Sequence, residues 1–322
     1  MPADPRFPAP DPREVDVRAV RRAFGRAAAT YDAAAALQRE VGARLAGRLD
    51  VVKLAPATIL DAGSGTGEAV GELSARYPGA RVVALDAALP MLVLARSRSM
   101  RGRSLLSRLL GPLGRAPAAP AFVCADAAAL PLAGVCVDLV WSNLMLQWVD
   151  DLPRAFAEFR RVLKVGGLLT FTTFGPDTLK ELARAFARVD GHTHVSRFVD
   201  MHDLGDLLVQ AGFADPVMDM EMLTATYPSP SALLAELKAI GATNQTRGRP
   251  RGLTGRRRLA ALEEALSRLA KDGRIPATFE VVYGHAWKAA PKRTGDGRSI
   301  VRFERGRGRE GNGTCSRTSA RR

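Results

Sequence analysis

Residues 57–73 read ATILDAGSGTGEAVGEL, and this stretch decides the fold. Three of its glycines, Gly63, Gly65 and Gly67, stand between an apolar run and a helical pattern. Glycine weakens helices and strands alike, so such a cluster needs a backbone reason: a tight turn, a nucleotide-binding loop or flexible filler. The turn follows a strand and opens a helix, where open α/β sheets bind their ligands at the carboxyl ends of the strands. This position favours a ligand-binding loop over filler.

The spacing of the loop narrows the choice of ligand. A dinucleotide fingerprint has the spacing G-x-G-x-x-G and a P-loop ends in G-K-[ST], whereas this loop reads G-x-G-x-G. Asp61 precedes the first glycine. A carboxylate at that point repels a pyrophosphate and suits a cationic or amino-bearing ligand.

Two further acids end the next two predicted strands. Asp86 follows Gly67 by nineteen residues, the place of an acid that holds ribose hydroxyls. Asp126 ends the third strand, where a carboxylate can accept from an exocyclic amine. Each acid alone is compatible with a helix cap or a solvated turn. Three acids at strand ends together indicate a binding site.

Strands and helices alternate along the first half of the chain. This alternation predicts a Rossmann-like, doubly wound, mostly parallel α/β sheet. A second set of strands and helices beyond residue 174 predicts an antiparallel edge strand and a helical cap. We expect strands at 57–63, 80–86, 121–126, 137–142, 167–174, 215–223 and 277–288, and helices at 15–49, 68–77, 90–97, 152–163, 177–189, 203–211, 229–240 and 255–271.

Three regions follow from this pattern. Residues 1–50 are predicted to hold a proline-rich leader and lid helices, and residues 51–290 the α/β domain. A basic insertion at 98–119 interrupts the alternation. Residues 291–322 are rich in Gly, Arg and Ser, and we predict a disordered basic tail.

The formal net charge of +14 is concentrated in two segments. Residues 291–322 carry ten Lys/Arg against three Asp/Glu, and residues 96–115 carry six arginines and no acid. The remainder is close to neutral, which argues against a nucleic-acid partner. Two solvated basic segments explain the charge more simply.

The cysteines and apolar runs bear on the location of the protein. Cys124, Cys136 and Cys315 have neither a disulfide framework nor zinc-ligand spacing. The first residues lack the apolar region of a secretory signal, and no apolar run reaches the ~20 residues that cross a bilayer. We therefore expect a cytoplasmic protein without a membrane partner.

Several segments resemble known proteins. The runs LDAGSGTG, LDAALPML and CADAAALPL resemble the class I S-adenosylmethionine-dependent methyltransferases. AFGRAAATYD, SNLMLQW and LKAIGATN resemble the malonyl-[acyl-carrier-protein] O-methyltransferase family, which acts early in biotin synthesis. The resemblance covers about residues 17–288. A mitochondrial complex I assembly factor with arginine-hydroxylating activity shares much of this pattern, which keeps the substrate open.

The resemblance implies S-adenosylmethionine as the cofactor. It assigns the glycines to the methionine moiety, Asp61 to its ammonium group and Asp86 to the ribose. Asp126 and Ala127 would hold the adenine. After the fourth strand, Ser142 and Asn143 are expected to face the methionine end of the cofactor.

Three residues are candidates for the acceptor side. Gln147 follows the fourth strand, and Tyr31 lies on an N-terminal helix that can close over the site as a lid. Tyr31 is equally compatible with an amphipathic surface position. A carboxylate acceptor needs a cation, and Arg197 is our candidate, with a structural ion pair as the alternative.

The leading hypothesis is a carboxyl O-methyltransferase that acts on malonate bound to acyl-carrier protein or to coenzyme A. A carboxylate is ionised at neutral pH, so no general base is required. The arginines of the insertion could steer an acidic carrier protein to the site. The alternatives are methylation of another small molecule, and a cofactor-binding assembly factor or arginine-modifying protein of the complex I type.

Overall fold

The computed structural model describes residues 15–101, 119–192, 194–249, 252 and 255–290. Seven strands form its sheet: β1 (Thr58–Ala62), β2 (Arg81–Asp86), β3 (Ala121–Cys124), β4 (Val137–Ser142), β5 (Leu163–Phe174), β6 (Ala214–Tyr227) and β7 (Ile275–Trp287). The helices are α1 (Val17–Ala34), α2 (Ala36–Arg48), α3 (Glu68–Arg76), α4 (Leu89–Arg101), α5 (Leu152–Val162), α6 (Lys180–Ala187), α7 (Met201–Gln210), α8 (Pro230–Ala239) and α9 (Arg256–Ser267). The predicted order of strands and helices is confirmed.

The sheet has the strand order β3-β2-β1-β4-β5-β7-β6. Strands β1 to β5 are parallel, and the chain reverses direction across the sheet between β1 and β4. Ligands bind at such a switch point in open α/β sheets. The mostly parallel, doubly wound fold is therefore confirmed. The antiparallel strand is β7, which pairs with both β5 and the edge strand β6.

Two hydrophobic layers cover the faces of the sheet. Successive side chains of a strand point to opposite faces, so Ile59 and Leu60 enter different layers. Ile59 packs with the layer that contains Leu45 of α2, and Leu60 with the layer that contains Phe156 of α5. Both strand residues are 0% exposed. Burial on both faces explains why the parallel strands read as continuous apolar runs.

Several predicted boundaries differ from the structure, among them those of two helices near the amino terminus. The helix expected over residues 15–49 breaks at Ala35, whose φ of −84° and ψ of 41° are not helical. Ala35 is buried, so core packing sets this break, and no proline or glycine announces it. The helix expected to end at residue 97 continues to Arg101. The first residues of the predicted insertion therefore extend α4.

The described residues up to Ala289 form one compact unit. Most of the predicted insertion, residues 102–118, and the predicted tail, residues 291–322, lie outside the described residues. The predicted leader over residues 1–14 lies outside them as well.

Candidate active site

The glycine turn after β1 is built so that only glycine fits two of its positions. Gly63 and Gly67 have φ values of +83° and +82°. A Cβ at Gly63 would lie 2.4 Å from Met145 Cγ, and one at Gly67 would lie 2.8 Å from Ala95 Cβ. Gly65 has a φ of +52°, but a Cβ there would meet no atom within 4 Å. Gly65 therefore faces open space, and Gly63 and Gly67 make the turn possible.

That open space is a cavity of about 310 Å³ at the carboxyl ends of the first strands. Seven of the predicted site residues line it, and they come from α1, the glycine turn and the ends of β2, β3 and β4. These residues are Tyr31, Gly63, Gly65, Asp86, Asp126, Ala127 and Asn143. Gly67 is not on the wall, because it packs against α4. We call this space the first cavity.

The Asp86 carboxylate organises the centre of the first cavity. Its Oδ2 accepts a hydrogen bond of 2.9 Å from the N–H of Gly65. Its Oδ1 accepts one of 2.7 Å from the N–H of Ala88. Burial raises the pKa of Asp86, although these backbone donors oppose that effect. Each oxygen keeps a second lone pair for a ligand hydroxyl.

Asp61 is the least satisfied acid of the site. Its side chain is 2% exposed, and within the described part of the chain its Oδ2 has no hydrogen-bond partner. Burial, assisted by the charge of Asp86, raises the pKa of Asp61 to about 8. A buried polar atom without a partner is costly. Asp61 does not line the first cavity. It lies near the end of β1, two residues before Gly63, so an amino group bound at the turn could donate a hydrogen bond to its Oδ2.

Part of the wall of the first cavity is apolar. Leu85 and Met91, each 1% exposed, line it together with buried Ala127. Asp126 is exposed, and its Oδ1 accepts a hydrogen bond of 2.9 Å from the N–H of Ala128. An acid beside an apolar slot can accept from a ring-bound amine.

Ser142 and Asn143 are placed differently with respect to the first cavity. Ser142 is 0% exposed and does not line the first cavity. Asn143 lines that cavity, but its side chain also joins secondary-structure elements. Its Nδ2 donates to the carbonyl oxygen of Gln38 on α2 at 2.9 Å, and its Oδ1 accepts from Thr172 Oγ1 at 2.7 Å. Asn143 thus positions α2 against β4 and β5.

A second cavity, of about 380 Å³, adjoins the first. Phe24, Tyr31, Leu144 and Trp148 line both cavities. Beyond this shared wall the second cavity is mainly apolar. Its further lining includes Leu37, Phe174, Leu182, Phe186, Phe198, Leu237 and Phe279.

Tyr31 stands at this shared wall, which supports the predicted lid position over a surface position. Burial and the charges of Asp86 and Asp32 raise the pKa of Tyr31 far above its ordinary value. The phenol therefore stays protonated and is a donor, not a base. The Thr66 hydroxyl bonds to Asp32 Oδ1 at 2.5 Å and ties α1 to the glycine turn. Arg98 of α4 adds ion pairs to Asp32 and Glu68.

Gln147 and Arg197 meet at a third cavity of about 230 Å³. Gln147 also lines the second cavity, and its Nε2 donates to the carbonyl oxygen of Leu144 at 2.7 Å. Arg197 lines only the third cavity. Its side chain is exposed and has no ion pair with any described residue, so the structural ion pair weighed from the sequence is not formed.

Several polar residues of the second cavity were not predicted, and Gln38 and His194 are two of them. Gln38 has a buried Oε1 without a hydrogen-bond partner in the described segments. His194 lines the same cavity. Its Nε2 lies 2.8 Å from Asp190 Oδ1, and its ring stacks on Phe186 with a centroid distance of 3.7 Å. No sequence pattern marks either residue, because loop and helix packing bring them to the cavity.

Neither a membrane span nor a metal site is found in the described residues. No helix among them is long and apolar enough to cross a bilayer. No group of three or more His, Cys, Asp or Glu side chains there is placed to hold a metal ion.

The glycine turn, the acids at the ends of β1 to β3 and the sheet topology together define a class I S-adenosylmethionine-dependent methyltransferase. The methyltransferase-domain family matches residues 60–171. The chain is similar to the solved structure of the YcgJ protein of Bacillus subtilis, with a TM-score of 0.53 and 16% identity over 77% of this chain and 98% of that one. At this identity the likeness concerns the fold.

Curated relatives narrow the class to a family. A malonyl-[acyl-carrier protein] O-methyltransferase of Laribacter hongkongensis is 56% identical over 292 residues, which cover 89% of this chain and 96% of the relative. One of Gallionella capsiferriformans is 54% identical over 288 residues, with the same coverage. The chain belongs to the malonyl-[acyl-carrier protein] O-methyltransferase family, and its cofactor is S-adenosylmethionine.

Proposed function

We propose that this protein transfers a methyl group to the free carboxylate of a malonyl thioester carried by acyl-carrier protein, an early step of biotin synthesis. The observation that carries the proposal is the pair of adjoining cavities. One has the acids and glycines that suit the cofactor, and the other is an apolar chamber behind the same wall. The names of the relatives support the malonyl substrate.

The residues of the first cavity fit S-adenosylmethionine. Gly65 leaves room at the turn, and the unpartnered oxygen of Asp61 suits the ammonium group of the methionine moiety. Asp86 would accept from the ribose hydroxyls, and Leu85 and Met91 would enclose the adenine with Asp126 and Ala127. Asn143 would contribute indirectly, because its side-chain amide forms hydrogen bonds with Gln38 and Thr172 and so holds α2 against the sheet beside the cavity. Ser142 would not contact the cofactor, because it is not on the wall of the first cavity.

The chemistry asks the protein chiefly to position two reactants. When bound, S-adenosylmethionine would supply an electrophilic methyl group on a sulfonium, for transfer to a carboxylate oxygen of the acceptor with S-adenosylhomocysteine as the leaving group. A free carboxylate is ionised at neutral pH, so the chain has no proton to remove. Correct alignment of bound reactants alone lowers such a barrier by several kcal/mol, about 7–11 in well-oriented cases.

The shared wall is where this alignment takes place. Tyr31 is protonated and lines both cavities, so its hydroxyl can donate to the acceptor carboxylate. Phe24 and Trp148 pack edge to face with ring centroids 5.3 Å apart and keep the wall apolar. Gln147 and Arg197 would bind the acceptor from the third cavity, where Arg197 would supply a positive charge for its carboxylate.

We place the enzyme in the cytoplasm as part of this proposal. Cys124 and Cys136 are free thiols, which suits a reducing compartment. The acceptor is the malonyl thioester of a carrier protein or of coenzyme A.

A panel of acceptors tests the proposal. The purified protein is mixed with methyl-labelled S-adenosylmethionine and with malonyl-, acetyl- or succinyl-carrier protein. We expect label on the malonyl carrier, none on the acetyl carrier, which lacks a free carboxylate, and at least tenfold less on the succinyl carrier. Equal labelling of acetyl and malonyl carriers would contradict carboxylate methylation. Cofactor binding without transfer to any carrier would leave the class intact and contradict the substrate.

A further inference from the structure

Helices α6 and α9 carry exposed arginines beside the second cavity. Leu182 and Phe186 of α6 line that cavity. Arg184 and Arg188, the residue that caps the end of α6, are four residues apart and share the opposite, exposed side. Helix α9 packs against α6 and begins with three exposed arginines, Arg256, Arg257 and Arg258. We call these five arginines the α6–α9 basic face.

Most of this charge is not neutralised by described residues. Arg258 lies 3.8 Å from Asp190, whereas the other four arginines form no ion pair within the described ranges. The acids of the two helices are largely engaged elsewhere. Glu181 accepts from Thr278, Glu264 pairs with Arg268, and Glu263 is the remaining carboxylate. Unpaired arginines gathered on one surface attract an acidic partner over a range of about 10 Å.

A short chain of contacts connects this face to the acceptor side. Asp190, which pairs with Arg258, also bonds to His194 at 2.8 Å. His194 stacks on Phe186, and both residues line the second cavity. These contacts connect the α6–α9 basic face to the side of the second cavity that is formed by α6 and the loop after it.

We propose that the α6–α9 basic face is the docking surface for the acidic carrier protein that presents the acyl group. The inference rests on the proposed function, because it assigns the partner of the same acceptor cavity. A carrier that docks there would thread its phosphopantetheine arm past His194 and Ser196 into the second cavity. Charge complementarity of this kind raises association rates more than it changes the chemical step. The proposal therefore assigns carrier-protein docking to α6 and α9, whereas the sequence analysis assigned it to the basic insertion.

Kinetics on two forms of the same acyl group test the assignment. In the variant Arg184→Glu/Arg188→Glu/Arg257→Glu we expect KM for the malonyl carrier to rise at least tenfold with little change in kcat. Malonyl-pantetheine has no protein part, so its kcat/KM should stay within twofold of the unaltered protein. Lys53→Glu/Arg81→Glu is the matched control, because Lys53 and Arg81 are exposed at the opposite, amino-terminal edge of β1 and β2.

The outcomes separate the inference from the proposed function. An unchanged KM for the malonyl carrier would overturn the docking surface, and so would an equal loss on both substrates, which indicates damage to the cavity. A rise in KM that follows Arg103→Glu/Arg108→Glu/Arg115→Glu, and not the α6–α9 variant, would assign docking to the insertion. Absence of transfer to either substrate by the unaltered protein would instead contradict the proposed function. Rescue of the α6–α9 variant by a carrier with Glu-to-Lys changes would support the surface directly.

Discussion

The Thr66 hydroxyl donates a hydrogen bond of 2.5 Å to the Asp32 carboxylate. This bond joins the glycine turn to α1 at the residue next to Tyr31. Arg98 holds the other oxygen of Asp32 and also pairs with Glu68. Helix α1, the proposed lid, is therefore bonded to the glycine turn that lines the first cavity. Cofactor binding and lid closure are expected to be coupled.

Thr66→Val tests this coupling, because it removes the hydroxyl and keeps the volume. We predict that the KM for S-adenosylmethionine rises about three- to tenfold, since one charge-assisted bond of about 1.5–3 kcal/mol is lost and Arg98 still holds Asp32. Steady-state kinetics measure the effect. Thr66→Ser keeps the hydroxyl and serves as the control. Equal KM values for the Val and Ser variants would show that the lid does not depend on this bond.

Asp61 gives the chain a specific pH dependence. Its pKa in the folded state is about 8, against 3.8 for the ordinary carboxyl group. The folded chain thus keeps a proton that the unfolded chain releases, and the free energy of unfolding falls as pH rises from about 4 to about 8. We predict that Asp61→Asn, which cannot ionise, is more stable than the unaltered apoprotein by about 1–3 kcal/mol at pH 8.5. The gain should disappear near pH 4.

Urea denaturation at several pH values measures this difference. Asp126→Asn is the matched control, because Asp126 is an exposed carboxylate of the same site. The Asp61→Asn variant should also bind the cofactor at least tenfold more weakly, since its amide cannot ionise when an ammonium group binds beside it. A stability difference that does not change with pH would contradict a protonated Asp61.

The glycines of the turn should differ in what their replacement costs. Gly63→Ala places a Cβ against Met145 and strains a positive φ, so we predict a loss of about 2–4 kcal/mol of folding stability. Gly65→Ala strains φ alone and costs about 1–2 kcal/mol. Its methyl group points into the first cavity, so cofactor binding should weaken out of proportion to stability. Calorimetric unfolding and titration separate the two effects.

The double variant Gly63→Ala/Met145→Ala is the control for the steric part. It should recover some stability, because the Met145 side chain that blocks the Cβ is removed. Identical losses for Gly63→Ala and Gly65→Ala would show that close approach of Met145 does not matter.

Tyr31 is predicted to act as a hydrogen-bond donor. Its pKa is raised by burial, so activity should show no titration attributable to a tyrosine base. We expect Tyr31→Phe to bind S-adenosylmethionine within about threefold of the unaltered protein and to lower kcat about 10- to 100-fold, which corresponds to the loss of one hydrogen bond to a charged group. Single-turnover methyl transfer measures it. An unchanged kcat in Tyr31→Phe would contradict the donor role and leave Tyr31 only a packing role in the wall between the cavities.

Much of this site could be predicted from local sequence. The order of strands is set by continuous apolar runs, and parallel strands bring their carboxyl ends to one edge, so Asp61, Asp86 and Asp126 were found together. The residues of the acceptor side could not be predicted equally well from the sequence. Its wall is assembled from α1, α2, α6, α8 and connecting loops, whose contacts have no periodic signal. His194 reaches the second cavity because Asp190 and Phe186 hold it, whereas Arg197, three residues later, lies at a different cavity.

Mass spectrometry of the malonyl carrier after incubation with the enzyme and methyl-labelled S-adenosylmethionine tests the account most directly. We predict the gain of one labelled methyl group, located on the malonyl carboxylate by fragmentation and removed by mild alkali as an ester. Asp86→Ala should abolish the gain, because it removes the acceptor that orders Gly65 and faces the cofactor cavity. A methyl group on any other atom of the carrier, or full transfer by Asp86→Ala, would contradict the account.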